Sequence, residues 1–250
     1  MKETRSGDYK LPSALECFVG NLLISVAKCM PQTLCRQFLR RHSYYQVFNE
    51  AELGDQQGLS INKWKAMQMP SDLSGKSVLD IGCADGFFCQ LSARMGASRV
   101  LGVDSAPGRL LRARLSAIEE GLNIRYRMDI FPSRRLRDKF DYVLCLSVLH
   151  HSLLRKDFWK VLTQDECRDD LATLRENLKS LRALTSHGGK CLIELPYEYD
   201  DPAERHEVNF DRFNKELIGA RFLNATCLGP WEHNEKYRAK KDRMVYLATA

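Results

Sequence analysis

The sequence lacks a hydrophobic segment long enough to cross a bilayer. Its most apolar stretch is residues 14–30, which Glu16, Asn21 and Lys28 interrupt, whereas a membrane-spanning helix needs about 20 predominantly apolar residues. We therefore expect no membrane span, and we interpret residues 11–41 as a packed helical region. A membrane-surface helix or a contact in a homo-oligomer is the alternative for this region.

Paired cysteine motifs are also missing. The nine cysteines form no C-x-x-C pair and show no metal-ligand spacing, so we expect neither a disulfide framework nor a metal site built on cysteine. No signal peptide is recognisable, and unpaired thiols are typical of a reducing compartment, which predicts a cytoplasmic protein. Internal repeats and low-complexity segments are absent as well, which excludes a repeat array.

Positively charged residues are in moderate excess. The formal net charge of +6 permits an anionic partner without requiring one. Basic residues cluster within residues 109–139, among them Arg112, Arg114 and Arg127. A solvated helix face and loop explain such a cluster more often than a nucleic-acid patch does. We therefore keep tRNA as an open partner and do not expect it from charge alone.

One stretch, residues 77–106, organises the chain. Residues 77–81 are a short apolar run that predicts a buried parallel strand. Helical spacing of apolar residues follows over 87–95, and 99–103 is a second apolar strand. A strand, loop, helix and strand in about thirty residues is the minimum size of a right-handed parallel crossover.

The loop of this unit reads D-x-G-x-x-D-G, from Asp80 to Gly86. Glycines such as Gly82 let a ligand approach the backbone because no Cβ intervenes. Dinucleotide sites use G-x-G-x-x-G to hold a pyrophosphate, but Asp85 stands where that phosphate would lie. Two carboxylates repel a phosphate and suit a cationic ligand, which disfavours an NAD-type oxidoreductase. At the tip of the second strand, Asp104 is placed to accept hydrogen bonds from a ribose diol.

This loop resembles motif I of the class I S-adenosylmethionine (SAM) methyltransferases, whose cofactor carries a sulfonium and an ammonium but no phosphate. The resemblance implies an α/β fold, a doubly wound Rossmann-like seven-stranded sheet, here with an N-terminal helical appendage, and SAM as the cofactor. The loop departs from the family at Ala84, where many members have glycine, and we expect binding to survive this change. The cofactor-binding residues that the resemblance implies are Asp80, Gly82, Cys83, Ala84 and Gly86 in the loop, Asp104 and Ser105, Asp129 and Ile130 beside the adenine, and Ser147.

The rest of the chain fits this plan. Helical spacing over 107–120 is followed by apolar runs that predict strands over 123–128, 140–147 and 189–195, and then by an antiparallel pair over 222–228 and 243–248. Five strands alternating with helices before a C-terminal hairpin is the seven-stranded doubly wound plan. We divide the chain into a helical N-terminal extension or lid, 1–60, and a methyltransferase domain, 61–250.

Two further segments flank the predicted site. A long amphipathic helix over 165–184 leaves 152–164 as an insertion at the strand ends, where open α/β sheets bind ligands. We expect this insertion to shape a substrate pocket or a subunit contact. Residues 62–65 either touch the cofactor or substrate or form a surface helix with Trp64 in the core.

Two adjacent histidines follow the fourth strand. Transfer of a methyl group to a hydroxyl needs an aligned acceptor and removal of a proton, and a histidine pKa near 6.5 suits a general base. His150 or His151 is therefore the candidate base, unless one packs against the sheet and the other bounds the pocket. A Mg²⁺-assisted version is the less favoured alternative, and its ligands would be Glu194, Glu198, Asp200 and Asp201.

A closer resemblance rests on three segments. Lys63-Trp64, residues 71–80 and residues 148–151 are similar to the tRNA wobble-uridine carboxymethyltransferase family. That family uses a carboxylated SAM and has tyrosine where His150 stands, so this chain favours ordinary SAM.

The residues that contact the acceptor are the hardest part of the site to predict from the sequence. Trp231, His233 and Tyr237 resemble an aromatic, hydrogen-bonding wall that cups sugars or ring substrates, although a plain surface loop explains them equally well. We expect O-methylation of a hydroxyl on a small molecule or saccharide. The rivals are a tRNA-modifying methyltransferase and a non-catalytic SAM-binding partner subunit.

Overall fold

The computed structural model describes residues 14–26, 29, 31, 34, 58–133, 135–153, 167–197, 202–231 and 242–250. Its helices are α1 (Ala14–Val26), α2 (Gly58–Ala66), α3 (Phe87–Arg94), α4 (Pro107–Glu119), α5 (Arg168–Leu184) and α6 (Pro202–Gly219), with a 3₁₀ turn at Leu149–Ser152. Its strands are β1 (Ser77–Ile81), β2 (Arg99–Asp104), β3 (Arg125–Met128), β4 (Phe140–Leu146), β5 (Thr185–Tyr197), β6 (Asn224–Trp231) and β7 (Asp242–Thr249).

The strands form one seven-stranded sheet in the order β3-β2-β1-β4-β5-β7-β6. Strands β1 to β5 are parallel, and β7 lies antiparallel between β5 and β6. The doubly wound α/β fold predicted from the sequence is thereby confirmed. The order reverses between β1 and β4, and open α/β sheets bind ligands at such a point, outside the carboxyl ends of the strands.

The structure corrects two details of the prediction. Strand β5 begins at Thr185, directly after α5, and not at residue 189 as predicted, and Gly188 within it adopts φ +72°. Helix α6 was not predicted, and it occupies the connection between β5 and β6. Its Phe213 packs edge-on against Tyr246 of β7, with 4.9 Å between the ring centroids.

Both faces of the sheet are covered, as a parallel sheet requires. Along β1 the side chains alternate: Leu79 and Ile81 join the apolar cluster that holds α5 and α6, and Val78 joins the cluster of α2 and α3 on the opposite face. Trp64 of α2 is buried in this second cluster, as one of the two interpretations of residues 62–65 predicts.

Several predictions fall outside the described residues. They are most of the insertion at 152–164, the residues between α1 and α2 other than 29, 31 and 34, and both His233 and Tyr237. The division at residue 60 stays a prediction, and that position falls inside α2. Across the described part of the chain, no helix has both the length and the apolar character that a bilayer crossing requires.

Helix α1 is attached to the edge of the sheet by the Asn21 side chain. The Asn21 amide donates to the carbonyl of Met128 at 3.1 Å and accepts from the Met128 N–H at 2.9 Å. Strand β3 is the edge strand, so these two bonds satisfy backbone groups that no further strand pairs. Ile24, one turn further along α1, is buried among residues of α4 and β3.

Asn21→Ala should lower the free energy of unfolding by about 1–3 kcal/mol, because it leaves a backbone donor and acceptor of Met128 without their partner. Ser25→Ala is the matched control, since Ser25 is exposed on the same helix and bonds only within it. Thermal unfolding compares the two variants. Equal melting temperatures would show that the amide does not hold α1 in place.

Candidate cofactor and acceptor site

The loop after β1 is tightly coiled by three left-handed residues. Gly82, Ala84 and Gly86 have φ angles of +72°, +48° and +84°. The N–H groups of Gly82 and Cys83 both donate to the Val103 carbonyl, at 2.7 and 3.0 Å, which ties the loop to the end of β2. Of the three left-handed residues only Ala84 carries a Cβ, and a left-handed conformation costs such a residue about 1–2 kcal/mol.

The two glycines are also required by packing. A Cβ on Gly82 would lie 2.4 Å from Cγ2 of Val148, in the turn after β4. A Cβ on Gly86 would lie 2.5 Å from the Tyr126 hydroxyl oxygen and 2.9 Å from Cβ of Ala113. The sequence argument assigned these glycines to ligand approach, and the structure adds a second reason, which is the close approach of neighbouring elements.

Two buried carboxylates flank this loop. Asp80 accepts a hydrogen bond from the Cys89 thiol at 3.4 Å, and Asp104 accepts from the N–H groups of Ala84 at 2.9 Å and Ala106 at 2.8 Å. Within the described residues neither carboxylate has an ion-pair partner. Burial raises the pKa of Asp80 to about 7. The Cys89 hydrogen bond and the Lys63 charge oppose this rise, and the Asp104 charge adds to it.

Asp85 does not contribute negative charge to this loop in the way the sequence argument assumed. Its carboxylate is fully buried and paired with the Arg112 guanidinium, whose Nε and Nη2 lie 3.0 and 2.9 Å from Oδ1. The carboxylates beside this loop that have no cation among the described residues are therefore Asp80 and Asp104. The argument against a phosphate ligand survives, with Asp104 in the place of Asp85.

The residues predicted beside the adenine form a local network. Asp129 accepts from Arg127 at 3.0 Å and from the Ser133 hydroxyl at 2.7 Å through Oδ2, and from the N–H of Ile130 at 2.9 Å through Oδ1. Both Asp129 oxygens therefore already accept hydrogen bonds, and an adenine amine would have to share them. Ser105 follows β2 directly and is half-buried.

Cys83 forms part of the apolar lining of the loop. Its side chain is buried, and burial raises the pKa of its thiol to about 11. The thiol therefore stays protonated at neutral pH and acts as a small apolar group.

The histidine turn, defined here as residues 147–152, follows β4 directly. It begins at Ser147, which is left-handed with φ +60°, and Val148 brings it against Gly82. His150 lies in the 3₁₀ segment, and His151 is exposed and donates its backbone N–H to the Val148 carbonyl at 2.9 Å. The turn thus lies beside the loop after β1, where the acceptor was expected, and the catalytic role of its histidines stays a prediction.

Sequence reasoning missed a buried ion pair at this edge of the sheet. Lys63 Nζ lies 3.0 Å from Oε2 of Glu194, which is fully buried and also accepts from the Ser147 hydroxyl. The sequence carried part of the signal, because an acid between Ile193 and Leu195 in an apolar strand is costly to bury unless a cation or a ligand matches its charge. Glu194 was considered as a Mg²⁺ ligand, but its charge is already matched by lysine.

No cluster of three or more histidine, cysteine, aspartate or glutamate side chains suited to a metal ion occurs among the described residues. The other acids weighed for Mg²⁺, Glu198, Asp200 and Asp201, lie outside them.

Several arginines of the basic cluster make internal contacts. Arg112 pairs with Asp85, Arg127 pairs with Asp129, and Arg114 donates to the Ile124 carbonyl. Other members are exposed, namely Arg125, Arg135 and Arg137. Among the described residues, part of the cluster is thus structural and part faces solvent.

The segment built around this loop matches a known family. Residues 78–167, from β1 to the residue before α5, match the family model described as a methyltransferase domain. The matched segment holds the loop after β1 and the histidine turn, and it covers less than half of the chain. A ubiquinone biosynthesis O-methyltransferase from Nitrobacter winogradskyi is 37% identical over 79 residues, which are 32% of this chain and 30% of that protein. The chain thus spans about a third of the curated relative it matches.

Solved structures share the methyltransferase fold over more of the chain. A SAM-dependent methyltransferase from Mesorhizobium loti has a TM-score of 0.51 and 18% identity, over 76% of this chain and 98% of that one. The [4+2]-cyclase SpnF has a TM-score of 0.55 and 14% identity, over 98% of both chains. Identities this low show a shared fold alone.

Ala84→Gly should raise the free energy of unfolding by up to about 1 kcal/mol, because glycine relieves the left-handed strain at a smaller cost in entropy. Ala172→Gly, at an exposed position inside α5, should instead lower it by about 1 kcal/mol. Chemical denaturation measures both. Equal destabilisation by the two substitutions would show that Ala84 is not strained.

Proposed function

We propose that the chain is a SAM-dependent methyltransferase that methylates a hydroxyl group of a small molecule. The observation that carries the proposal is the pair of buried carboxylates, Asp80 and Asp104, at the ends of β1 and β2. Both are at least nine-tenths buried, and neither has a counterion within the described residues. Burying a carboxylate without a cation is costly, so such a pair suits a cationic ligand that also donates hydrogen bonds.

The residues present fit SAM. Asp80 lies where it can balance a sulfonium and an ammonium, and Asp104 can accept from ribose hydroxyls through lone pairs that its two backbone donors leave open. Gly82 and Gly86 keep the loop backbone close to the strand ends. When bound, SAM supplies an activated methyl group, so the protein has to align the acceptor and remove its proton.

We assign proton removal to His150 or His151. Both lie in the turn that packs on Gly82, and a neutral imidazole accepts a hydroxyl proton near physiological pH. The O-methyltransferase named among the curated relatives supports a hydroxyl acceptor. The acceptor is either a saccharide or a small ring compound that carries a hydroxyl, and an activity assay with both distinguishes them.

tRNA modification is the second candidate. It is favoured by the exposed arginines near β3, Arg125, Arg135 and Arg137, and by the likeness of Lys63-Trp64 and 148–151 to the tRNA wobble-uridine family. Phosphate contacts release counterions, so tRNA affinity would then fall steeply as salt rises. A binding isotherm at two salt concentrations distinguishes this candidate from a small-molecule enzyme.

SAM affinity should rise about tenfold between pH 5.5 and 7. The pKa of Asp80 is about 7 in the absence of ligand, and a bound cation stabilises the ionised form, so binding releases a proton below pH 7. Asp80→Asn should bind SAM more weakly and without this pH dependence. Isothermal titration in this range measures both affinities, with NADH as the ligand expected not to bind.

Asp138→Asn is the control for that titration, because this aspartate is exposed at the surface. It should keep the affinity and the pH dependence of the wild type. If Asp80→Asn behaves in the same way as Asp138→Asn, the loop does not hold a cationic ligand and the proposal fails.

His150→Ala or His151→Ala, whichever removes the base, should lower kcat by about 10²–10⁴-fold with SAM affinity unchanged. Transfer from methyl-labelled SAM to a catechol, a 6-deoxyhexose and unmodified tRNA provides the assay. If SAM binds but neither histidine affects turnover, the base assignment is wrong; if no acceptor is methylated, the non-catalytic SAM-binding subunit is favoured.

A further inference from the structure

The buried ion pair between α2 and β5 lies outside the loop after β1, although the Lys63 charge lowers the pKa of Asp80. Glu194 is fully buried while Lys63 keeps 14% of its side chain exposed, and their charged atoms lie 3.0 Å apart. Trp64, the next residue of α2, stacks on Phe88 with 6.3 Å between ring centroids, which fixes the helix against the core. Lys63 therefore extends to Glu194 from a helix that is packed against the core.

Glu194 also holds the start of the histidine turn. Its Oε2 accepts from the Ser147 hydroxyl, and its backbone carbonyl accepts from the Ser147 N–H at 3.3 Å. Ser147 is left-handed with φ +60°, a conformation that non-glycine residues keep only where their surroundings impose it. Two bonds to a single residue of the neighbouring strand provide that constraint.

The C-terminal end of the histidine turn, at Ser152, is held by helix α5. The Ser152 hydroxyl accepts from the Asn177 amide of α5 at 2.6 Å, and Asn177 is buried. Between Ser147 and Ser152, Val148 packs on Gly82 and the two histidines follow. The turn is therefore clamped at both ends, and only the clamp at Ser147 depends on a charge from a different helix.

We propose that Lys63 is a positioning residue for the histidine turn. It neutralises Glu194, so that the carboxylate stays buried in the orientation that fixes Ser147, and it thereby sets where the histidines stand beside the acceptor. The inference rests on the proposed function for its effect on rate, but the geometric effect on the turn is independent of any ligand.

Lys63→Met should lower kcat about tenfold or more, because a displaced base loses alignment with the acceptor. The affinity for SAM at pH 8 should change less than about threefold, and the imidazole proton signals of His150 and His151 should shift in NMR spectra. Lys63→Arg should restore both the rate and the signals. Lys65→Met is the matched control, since Lys65 is exposed on the same helix.

Ser147→Ala separates positioning from stability. Lys63→Met leaves Glu194 without its cation, and a fall in melting temperature of about 5–10 °C is expected. Ser147→Ala keeps the ion pair and removes the hydroxyl that donates to Glu194, so it should shift the histidine signals and lower kcat with a much smaller change in melting temperature. A purely structural ion pair would leave the Ser147→Ala enzyme unaffected.

The NMR comparison needs no acceptor, so it decides the inference even if the proposed function fails. Unchanged histidine signals in Lys63→Met and Ser147→Ala, with rates within about twofold of Lys65→Met, would overturn the positioning role. Absence of SAM binding in the wild-type protein would instead overturn the proposed function and leave the positioning result standing.

Discussion

The structure depends on which carboxylates at the carboxyl ends of its parallel strands are paired with a cation. Five acids, Asp80, Asp85, Asp104, Asp129 and Glu194, lie at or near strand ends there. Three of them have a cation from the chain itself: Asp85 has Arg112, Asp129 has Arg127 and Glu194 has Lys63. Among the described residues, the remaining two acids, at the ends of β1 and β2, have only neutral hydrogen-bond donors. That difference separates the acids that hold the fold together from the acids that suit a ligand.

Burial of the Asp80 carboxyl lowers the stability of the fold at neutral pH. Because the pKa of Asp80 is raised from its ordinary value to about 7, the folded state binds more protons than the unfolded chain between these two values. This contribution makes the protein less stable as pH rises through that range, and the loss is complete above about pH 7. A bound cation would return part of that stability, which links ligand binding to the rigidity of the loop.

The sequence predicted the features that depend on neighbouring residues in the chain, namely strands, helices and the loop after β1. The spacing of apolar residues fixed the strands from β1 to β4 and the helices between them, and a strand followed by D-x-G-x-x-D-G placed the loop correctly. Partners far apart in the chain were not predicted. Asp85 and Arg112 are 27 residues apart and Lys63 and Glu194 are 131 apart, and no periodicity connects residues at such distances. Helix α6 was missed although its sequence carries a start signal, Asp201 directly before Pro202, because Asp200 and Asp201 were weighed only as Mg²⁺ ligands.

Fold similarity by itself leaves the chemistry open, since a methyltransferase and a [4+2]-cyclase both superpose on this chain. What distinguishes one chemistry from another on a shared fold is the site. Here two features are built on separate elements: the loop after β1, with its unpaired acids, and the histidine turn after β4, held by Glu194 of β5. Val148 joins them through its contact with Gly82. Because a Cβ on Gly82 would lie 2.4 Å from Cγ2 of Val148, the spacing between the loop and the histidine turn is set by the packing of a valine on a glycine.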